Sequence, residues 1–392
     1  MTVKSLLQYY QENKFNPVPI PLGTTSDWDS HFAKRHNLYQ RHLGIPLSLL
    51  KCCSVLEFGC NSGENALVLA SVGANLTLVE PNDQVFPRLK ALFQHFGLQE
   101  RIVELVQTGI DSFESETRYD IVLAEGFLYT LPNRDSLLLK ISKLLNPGGF
   151  AVVAFGDRCS LFLEMVRRMV LWRAYQLQGI NDVHSDEALN LAKRFYGEDF
   201  AQLNASRPFE VWWKDTMVCP FLSSAYHWSY PEILSILERA GCEFYSSSPQ
   251  WGSMNHFNWY KNVLDTQSRH SQLLKNWASV FPFFLTGLSP SDCEWQSAPC
   301  EVINSVVALV AKLADYTIDS SVESIVYPDS LNEYLSESKD IRLQQLNLEM
   351  NNLYKAIKSA RLEELLSAYH ETKWVRELWG TPQHYICFTK SV

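Results

Sequence analysis

SVLEFGCNSG, residues 54–63, is the stretch that decides the fold. Its first half, Ser54 to Phe58, is a short apolar run that predicts a buried strand with an acid, Glu57, near its end. A turn with two glycines follows, and a helix is predicted over 64–72. A strand that leads through a glycine turn into a helix is typical of the nucleotide-binding loop of a doubly wound α/β fold.

The spacing of the glycines indicates which kind of ligand this loop accepts. A dinucleotide loop needs glycines at three places so that backbone amides can approach a pyrophosphate. Here the pattern is Glu57-x-Gly59-x-x-x-Gly63, and Asn61 stands where a middle glycine would be. A carboxylate at the end of the strand repels a pyrophosphate but suits a ligand that carries sulfonium and ammonium cations.

The chain from residue 54 to 155 alternates between strand and helix patterns. Further strands are predicted at 76–79, 104–107, 121–124 and 150–154, with helices at 83–96 and 134–145. This alternation predicts a mostly parallel sheet covered by helices on both faces. Ligands of such sheets bind at the carboxyl ends of the strands.

The loop at 54–63 resembles the first motif of the class I S-adenosylmethionine (SAM) dependent methyltransferases, and LLNPGGF, 144–150, resembles the turn before their fifth strand. The resemblance implies SAM as the cofactor, bound by residues from four successive loops. The cofactor-binding residues predicted in this way are Glu57, Gly59, Cys60, Asn61, Gly63, Glu80, Pro81, Thr108, Gly109, Ile110, Glu125 and Gly126.

Two of these loops would hold the adenosine. Glu80 stands at the tip of the second predicted strand, where a carboxylate can accept two hydrogen bonds from a ribose diol. Residues 108–110 follow the third strand, where resembling enzymes hold the adenine. The family usually has an acid where Thr108 aligns, and Asp111 is a nearby substitute.

The candidate catalytic residues are less specific. Glu125 to Tyr129 resembles the loop after the fourth strand, which faces the methionine end of the cofactor and the acceptor. Tyr129 is a candidate for hydrogen bonding the acceptor, with a packed aromatic ring as the alternative. His227 and His256 are candidates for a general base, with a structural role beside the neighbouring aromatic residues as the alternative.

A helix predicted to run from residue 26 or 27 to about residue 41 precedes the sheet. Trp28, His31, Arg35 and Tyr39 recur at spacings of three and four residues and therefore share one face of this helix. Resembling methyltransferases often place such a helix as a lid over the cofactor. The alternative is that this face simply packs on the domain.

The C-terminal stretch WGTPQHYICFTK, 379–390, alternates as an edge strand does and resembles the last, antiparallel strand of the methyltransferase sheet. We therefore predict an α/β fold with a doubly wound, seven-stranded, mostly parallel sheet whose last strand is antiparallel. A helical insertion or second helical subdomain accompanies the sheet.

The predicted organisation begins with an N-terminal helical lid segment, 1–45. The SAM-binding methyltransferase domain comprises 46–260 and 376–392, and within it 160–228 forms a helical and aromatic insertion on the acceptor side. Residues 261–375 form a helical insertion. In that insertion Leu346, Met350, Leu353, Ile357 and Ala360 step by four and three, which predicts a seam for another helix, either within the chain or in a homodimer.

Composition excludes several other classes. A net charge of −9 over 392 residues offers no footprint for a phosphate backbone, so no nucleic-acid partner is expected. The nine cysteines have no metal-ligand spacing and indicate small buried thiols in a reducing cytoplasm, with no metal site. The N-terminus lacks the apolar core of a signal peptide, and the longest apolar run, 278–285, is too short to span a membrane. We expect a cytoplasmic protein without a membrane segment.

The leading hypothesis is a SAM-dependent methyltransferase that acts on an O, N or C atom of a small, natural-product-like acceptor. The aromatic stretch at 209–230 is a candidate acceptor pocket, with an ordinary aromatic core as the alternative. A protein methyltransferase that docks its partner on the helical insertion, and a SAM-binding module without turnover, are the other hypotheses. A nicotinamide-dependent oxidoreductase is disfavoured by Glu57 and Asn61.

Overall fold

A computed structural model describes residues 5–14, 16, 20–203, 207–252, 261–291 and 293–391. The chain divides into two compact units. The first comprises Met1–Phe155, Tyr230–Leu274 and His384–Val392, and the second comprises Gly156–Ser229 and Lys275–Gln383.

The strands form one sheet. They are β1 (Ser54–Phe58), β2 (Asn75–Val79), β3 (Ile102–Val106), β4 (Tyr119–Ala124), β5 (Leu145–Gly156), β6 (Cys242–Ser248) and β7 (Gln383–Lys390). The α-helices are α1 (Leu6–Asn13), α2 (Thr25–His36), α3 (Glu64–Ser71), α4 (Phe86–His95), α5 (Arg134–Lys143), α6 (Phe162–Gln178), α7 (Asp186–Ala201), α8 (Phe209–Trp212), α9 (Tyr230–Arg239), α10 (Thr266–Ser279), α11 (Phe281–Thr286), α12 (Cys300–Ala314), α13 (Asp329–Ser336), α14 (Ile341–Ile357), α15 (Leu362–His370) and α16 (Trp374–Glu377).

The sheet has the strand order β3-β2-β1-β4-β5-β7-β6. The pairs β1–β2, β1–β4, β2–β3 and β4–β5 are parallel, and β6 and β7 are antiparallel. The predicted seven-stranded, mostly parallel sheet with an antiparallel last strand is therefore confirmed. The prediction that the last strand lies at an edge is wrong, because β7 lies between β5 and β6. Its consecutive residues Ile386, Cys387 and Phe388 are all buried, as expected for a strand covered on both faces.

The ends of several elements differ from the predicted ones. The turn predicted at 144–150 is the first part of β5, and the helix predicted at 83–96 begins with a 3₁₀ turn, Asp83–Val85, before α4. The helix predicted to end near Arg41 is α2 followed by a π-helical turn, Asn37–His42. In these turns the backbone hydrogen bonds span a different number of residues than in an α-helix, but the apolar pattern of the sequence continues unchanged, so the pattern does not show where the α-helix ends.

The second unit is helical in its described residues. In α6, 13 of 17 residues are buried, which explains why its sequence is apolar almost all round. Of the predicted seam, Leu346, Met350, Leu353 and Ile357 lie on α14 and are buried within the single chain. The prediction is wrong for Ala360, which lies beyond the end of α14 and is exposed.

The aromatic stretch at 209–230 contributes mainly to the core of the second unit. Trp212 and Trp213 are buried, and the ring centroids of Trp212 and Trp379 lie 5.5 Å apart. The indole nitrogen of Trp213 donates a hydrogen bond of 2.9 Å to the hydroxyl of Tyr175. These side chains pack as an aromatic core, which was the alternative to an acceptor pocket.

Candidate cofactor site

The glycine loop follows β1 directly, in the first unit. Gly59 and Gly63 have φ of +67° and +85°, and Asn61 between them has φ of +49°. L-residues with a Cβ rarely adopt these angles, which explains why glycines stand at both ends of the loop and a tolerant asparagine stands between them. Gly63 is the N-cap of α3, so the loop leads directly into a helix, as predicted from the sequence.

Glu57 lies at the end of β1 and is only 3% exposed. Its Oε2 atom accepts no hydrogen bond from any residue that the structure describes. Burial raises the pKa of Glu57 to about 8, with the negative charge of Glu125 adding to the effect and Arg35 opposing it. A buried carboxylate oxygen without a donor is costly in free energy, and a cationic ligand donor would remove that cost.

Glu80 lies just past the end of β2 and is tied to the glycine loop. Its Oε2 accepts a hydrogen bond of 2.9 Å from the backbone N–H of Asn61, and its Oε1 accepts one of 2.9 Å from Asn82. Burial raises the pKa of Glu80 although both of these hydrogen bonds lower it. Each carboxylate oxygen keeps a second lone pair, so Glu80 can still accept bonds from a diol. Pro81 is the next residue along the chain.

The predicted adenine loop follows β3. Ile110 is buried, and the backbone N–H of Phe113 donates a hydrogen bond of 3.0 Å to the carbonyl of Gly109. A Cβ on Gly109 would lie 2.5 Å from Oδ1 of Asp111, so the carboxylate of Asp111 packs against this glycine. The structure thus places Asp111 beside Gly109, the residue that follows Thr108.

The loop after β4 completes the edge of the sheet. Glu125 is the first residue after Ala124, and Gly126 has φ of +82°. The ring of Phe127 lies against the glycine loop, because a Cβ on Gly59 would be 2.8 Å from two of its carbons. Tyr129, half-buried, lies in a short 3₁₀ turn, Leu128–Thr130.

Sequence reasoning assigned no role to the ion pair made by Glu125. Arg35 of α2 donates two hydrogen bonds of 2.7 Å to the two carboxylate oxygens of Glu125. The hydroxyl of Tyr39 accepts a hydrogen bond of 2.8 Å from Arg35 and donates one of 3.2 Å to Glu125. The helical period placed Arg35 and Tyr39 on one face, but no local pattern identifies a partner 90 residues along the chain.

Two of the three predicted catalytic residues lie among the described residues. Tyr129 belongs to the first unit, whereas His227 belongs to the second unit and is 1% exposed. His256 lies outside the described residues.

A buried pair that the sequence did not single out lies beside the end of β5. The hydroxyl of Tyr230 is 2.8 Å from Nδ1 of His384, and both residues are buried. The ring of Phe155 is 5.3 Å from that of Tyr230 and 5.8 Å from that of His384, between centroids. The only sequence signal for this pair is the position of His384 near the start of the last strand.

The first unit therefore brings Cys60 and the rest of the glycine loop together with Glu57, Glu80 and Glu125. Three carboxyl groups lie here with the guanidinium of Arg35, and burial raises the pKa of Glu57 and of Glu80, so a cationic ligand would stabilise their ionised forms. The arrangement suits a ligand that is cationic and also presents hydroxyl donors. Among the described residues, no cluster of histidine, cysteine and acidic side chains could hold a metal ion, and no helix is long and apolar enough to cross a bilayer.

Comparison with known proteins agrees with this geometry. Residues 29–203 match the model of a family described as a methyltransferase domain. Over 104 residues the chain is 24% identical to the ubiquinone biosynthesis O-methyltransferase of Rickettsia conorii, covering 26% of this chain and 35% of the relative. Over 116 residues it is 30% identical to the sterol 4-C-methyltransferase strm-1 of Caenorhabditis elegans, covering 29% and 34%. The chain thus spans about a third of the length of these curated relatives.

Among solved structures, the N-methyltransferase NodS of Bradyrhizobium japonicum, in complex with S-adenosyl-L-homocysteine, is 19% identical with a TM-score of 0.30. The match covers 38% of this chain and 74% of that one. The family match and the sheet order confirm the sequence-based identification for the matched part of the chain: residues 29–203 contain a methyltransferase domain, and the sheet has the class I methyltransferase fold.

Proposed function

We propose that this chain binds SAM at the glycine loop and transfers its methyl group to an oxygen, nitrogen or carbon atom of a small-molecule acceptor. The observation that carries the proposal is the buried Oε2 of Glu57, which lacks a donor among the described residues at the end of β1. The excess of carboxylates around this atom favours a cofactor with sulfonium and ammonium cations over a pyrophosphate.

Different residues of the site would bind different parts of the cofactor. Glu57 would accept a hydrogen bond from the ammonium group, and Glu80, fixed by Asn61 and Asn82, would accept bonds from the ribose hydroxyls. The bound cofactor supplies an electrophilic methyl group on a sulfonium centre. The contribution of the protein is to orient the acceptor and to exclude water, because the cofactor carries the difficult chemistry.

A small-molecule acceptor is supported by two of the relatives. Their names assign one to ubiquinone biosynthesis and the other to a sterol. The negative net charge of −9 also disfavours a nucleic-acid acceptor. Tyr129, His227 and His256 remain the proposed contacts or bases for the acceptor.

A protein acceptor is the second candidate. It is favoured by the size of the helical second unit, which includes Lys275–Gln383 and has no part in the glycine loop. A SAM-binding module without turnover is the third, because the sequence singles out no one residue as the catalytic base.

The test is methyl transfer from radiolabelled SAM in a lysate of the source cells, with purified wild-type protein and the Glu80→Ala variant in parallel. We expect label in the small-molecule fraction that depends on wild-type protein and is reduced with Glu80→Ala. Label in protein would establish the second candidate instead. No label in either fraction, while SAM binds, would establish the module without turnover.

A further inference from the structure

Helix α2 and the π-helical turn that follows it pack within the first unit through one buried face. Trp28, His31, Arg35 and Tyr39 are 4%, 8%, 6% and 1% exposed, so the face predicted from their spacing is fully covered. The ring of Trp28 packs 5.0 Å from that of Phe96, and Nε2 of His31 is 3.2 Å from the carbonyl oxygen of Glu64. The contacts of Trp28 and His31 hold α2 without involving Arg35.

The Arg35–Glu125 ion pair is therefore additional to the packing that holds α2. The side chains of Arg35 and Glu125 are only 7% and 5% exposed. Taking both charges out of water costs free energy, and a buried ion pair often stabilises a fold no better than two apolar side chains would. A buried pair of this kind in a site is thus better explained by what it positions than by stability.

What the pair positions is the loop after β4. Glu125 is held at both oxygens by the planar guanidinium of Arg35 and at one by the hydroxyl of Tyr39, which fixes its orientation as well as its position. Two residues further on, Phe127 lies with its ring against Gly59. The contacts therefore run from Arg35 through Glu125 and Phe127 to the loop on which cofactor binding depends.

We propose that Arg35 is a positioning residue, which acts through its paired hydrogen bonds with Glu125 to hold the loop after β4 against the glycine loop in the geometry that binds the cofactor. This inference rests on the proposed function, because it assigns Arg35 a role in SAM binding. Arg35 does not act by charge alone: the forked geometry of the guanidinium sets the orientation of the carboxylate, which a lysine would not reproduce.

The experiment is a double-mutant cycle in the full-length chain: Arg35→Leu, Glu125→Leu and the double variant, each measured for melting temperature and for S-adenosylhomocysteine affinity by calorimetry. Each single variant leaves one buried charge without its partner and is expected to lower the melting temperature. The double variant leaves no unpaired charge and is expected to recover most of it. The dissociation constant of the double variant for S-adenosylhomocysteine is expected to be raised about tenfold or more, because a small misplacement of a binding loop lowers the affinity.

The cycle separates positioning from direct contact. If the two residues act as a unit, the double variant binds no more weakly than either single variant. Additive losses would mean that Glu125 contacts the cofactor independently of Arg35, and would overturn the proposal. A double variant that melts like wild type and binds within twofold of wild type would show that the pair is only structural, and would also overturn it.

Two further variants guard against ambiguity. Arg35→Lys keeps the charge and is expected to fold normally but to bind several-fold more weakly; unchanged affinity would contradict the need for the guanidinium. The Arg134–Glu232 ion pair, at 3.3 Å in the same unit and with side chains 13% and 36% exposed, is a control for the loss of an ion pair elsewhere, and its double leucine variant is expected to leave the affinity unchanged. If wild-type protein itself fails to bind S-adenosylhomocysteine, the proposed function fails. If wild type binds and the Arg35→Leu/Glu125→Leu double variant binds equally well, only the inference about Arg35 fails.

Discussion

The affinity for the cofactor should increase with pH, and the buried carboxyl of Glu57 gives the magnitude. With its pKa at about 8, Glu57 is mostly protonated at pH 6 in the ligand-free protein. An ammonium group binds the carboxylate and not the neutral acid, so binding must release a proton from Glu57. For a ligand that binds only the ionised form, the dissociation constant falls about 50-fold between pH 6 and pH 8, or roughly 2 kcal/mol, and levels off above pH 8.

The groups that face Glu57 determine whether its affinity effect falls between pH 6 and pH 8. Burial keeps the pKa of Glu57 high, the negative charges of Glu125 and Glu80 add to this effect, and Arg35 opposes it. Because Arg35 is paired with Glu125 at both oxygens, its charge is largely compensated at Glu57. The factor of 50 is an upper limit, since any binding to the protonated form reduces the slope.

The assay is calorimetric titration of S-adenosylhomocysteine at half-unit steps from pH 6 to pH 8, in buffers of different ionisation enthalpy so that proton release is measured directly. Glu57→Gln is the control, and it should bind with the same affinity across the range. An affinity for wild type that does not change with pH, or that falls as pH rises, would refute the reasoning about Glu57.

The same titration affects stability in the opposite direction. The folded-state pKa of Glu57 lies above its ordinary value of 4.5, so the native ligand-free protein holds a proton that the unfolded chain has lost. The stabilisation from this group is therefore fully present below pH 4.5 and is lost as pH rises towards 8. Relative to Glu57→Gln, the free energy of unfolding of wild type should fall across this window in urea titrations. A difference that does not change with pH would contradict the assigned pKa.

Two substitutions test other parts of the first unit. Gly59→Ala should abolish S-adenosylhomocysteine binding, because a Cβ there would lie 2.8 Å from the ring of Phe127. The control Gly97→Ala, at φ of +65° and with nothing within 4 Å of a Cβ, should lose only stability, of order 1–3 kcal/mol. Equal binding by both variants would contradict this prediction. The carboxylate of Asp120 accepts two hydrogen bonds of 2.8 Å from Ser54. Asp120→Asn should therefore lower the free energy of unfolding by about 1–3 kcal/mol in urea titrations and leave cofactor affinity unchanged. A loss of affinity without a loss of stability would contradict the structural role of Asp120.

The parts of the fold that the sequence predicted are those that depend on local pattern. The strand, glycine turn and helix at 54–72 appear as β1, the loop and α3, because hydrophobic run length and positive-φ positions are properties of neighbouring residues. The position of β7 between β5 and β6 depends on long-range pairing. An alternating pattern gives a strand but does not give its neighbours, which is why the edge position was predicted wrongly.

The candidate site follows the same division. The positions of Glu57 and Glu80 at strand ends could be predicted, because parallel strands bring their carboxyl ends to one edge. The Arg35–Glu125 and Tyr230–His384 pairs could not, because the partners are 90 and 154 residues apart and each residue type is common on its own. The aromatic stretch at 209–230 was ambiguous for a related reason: apolar rings line pockets and cores with the same composition.

The most direct test of the central claim, that the acid-lined glycine loop binds SAM, is titration of S-adenosylhomocysteine into purified protein at pH 8 with Glu80→Ala alongside. The account predicts micromolar binding by wild type, weakened in the variant by about 1–3 kcal/mol, the usual effect of losing hydrogen bonds to a charged group. Unchanged affinity in a folded Glu80→Ala variant would remove Glu80 from the ribose site. No binding by folded wild-type protein would contradict the claim itself.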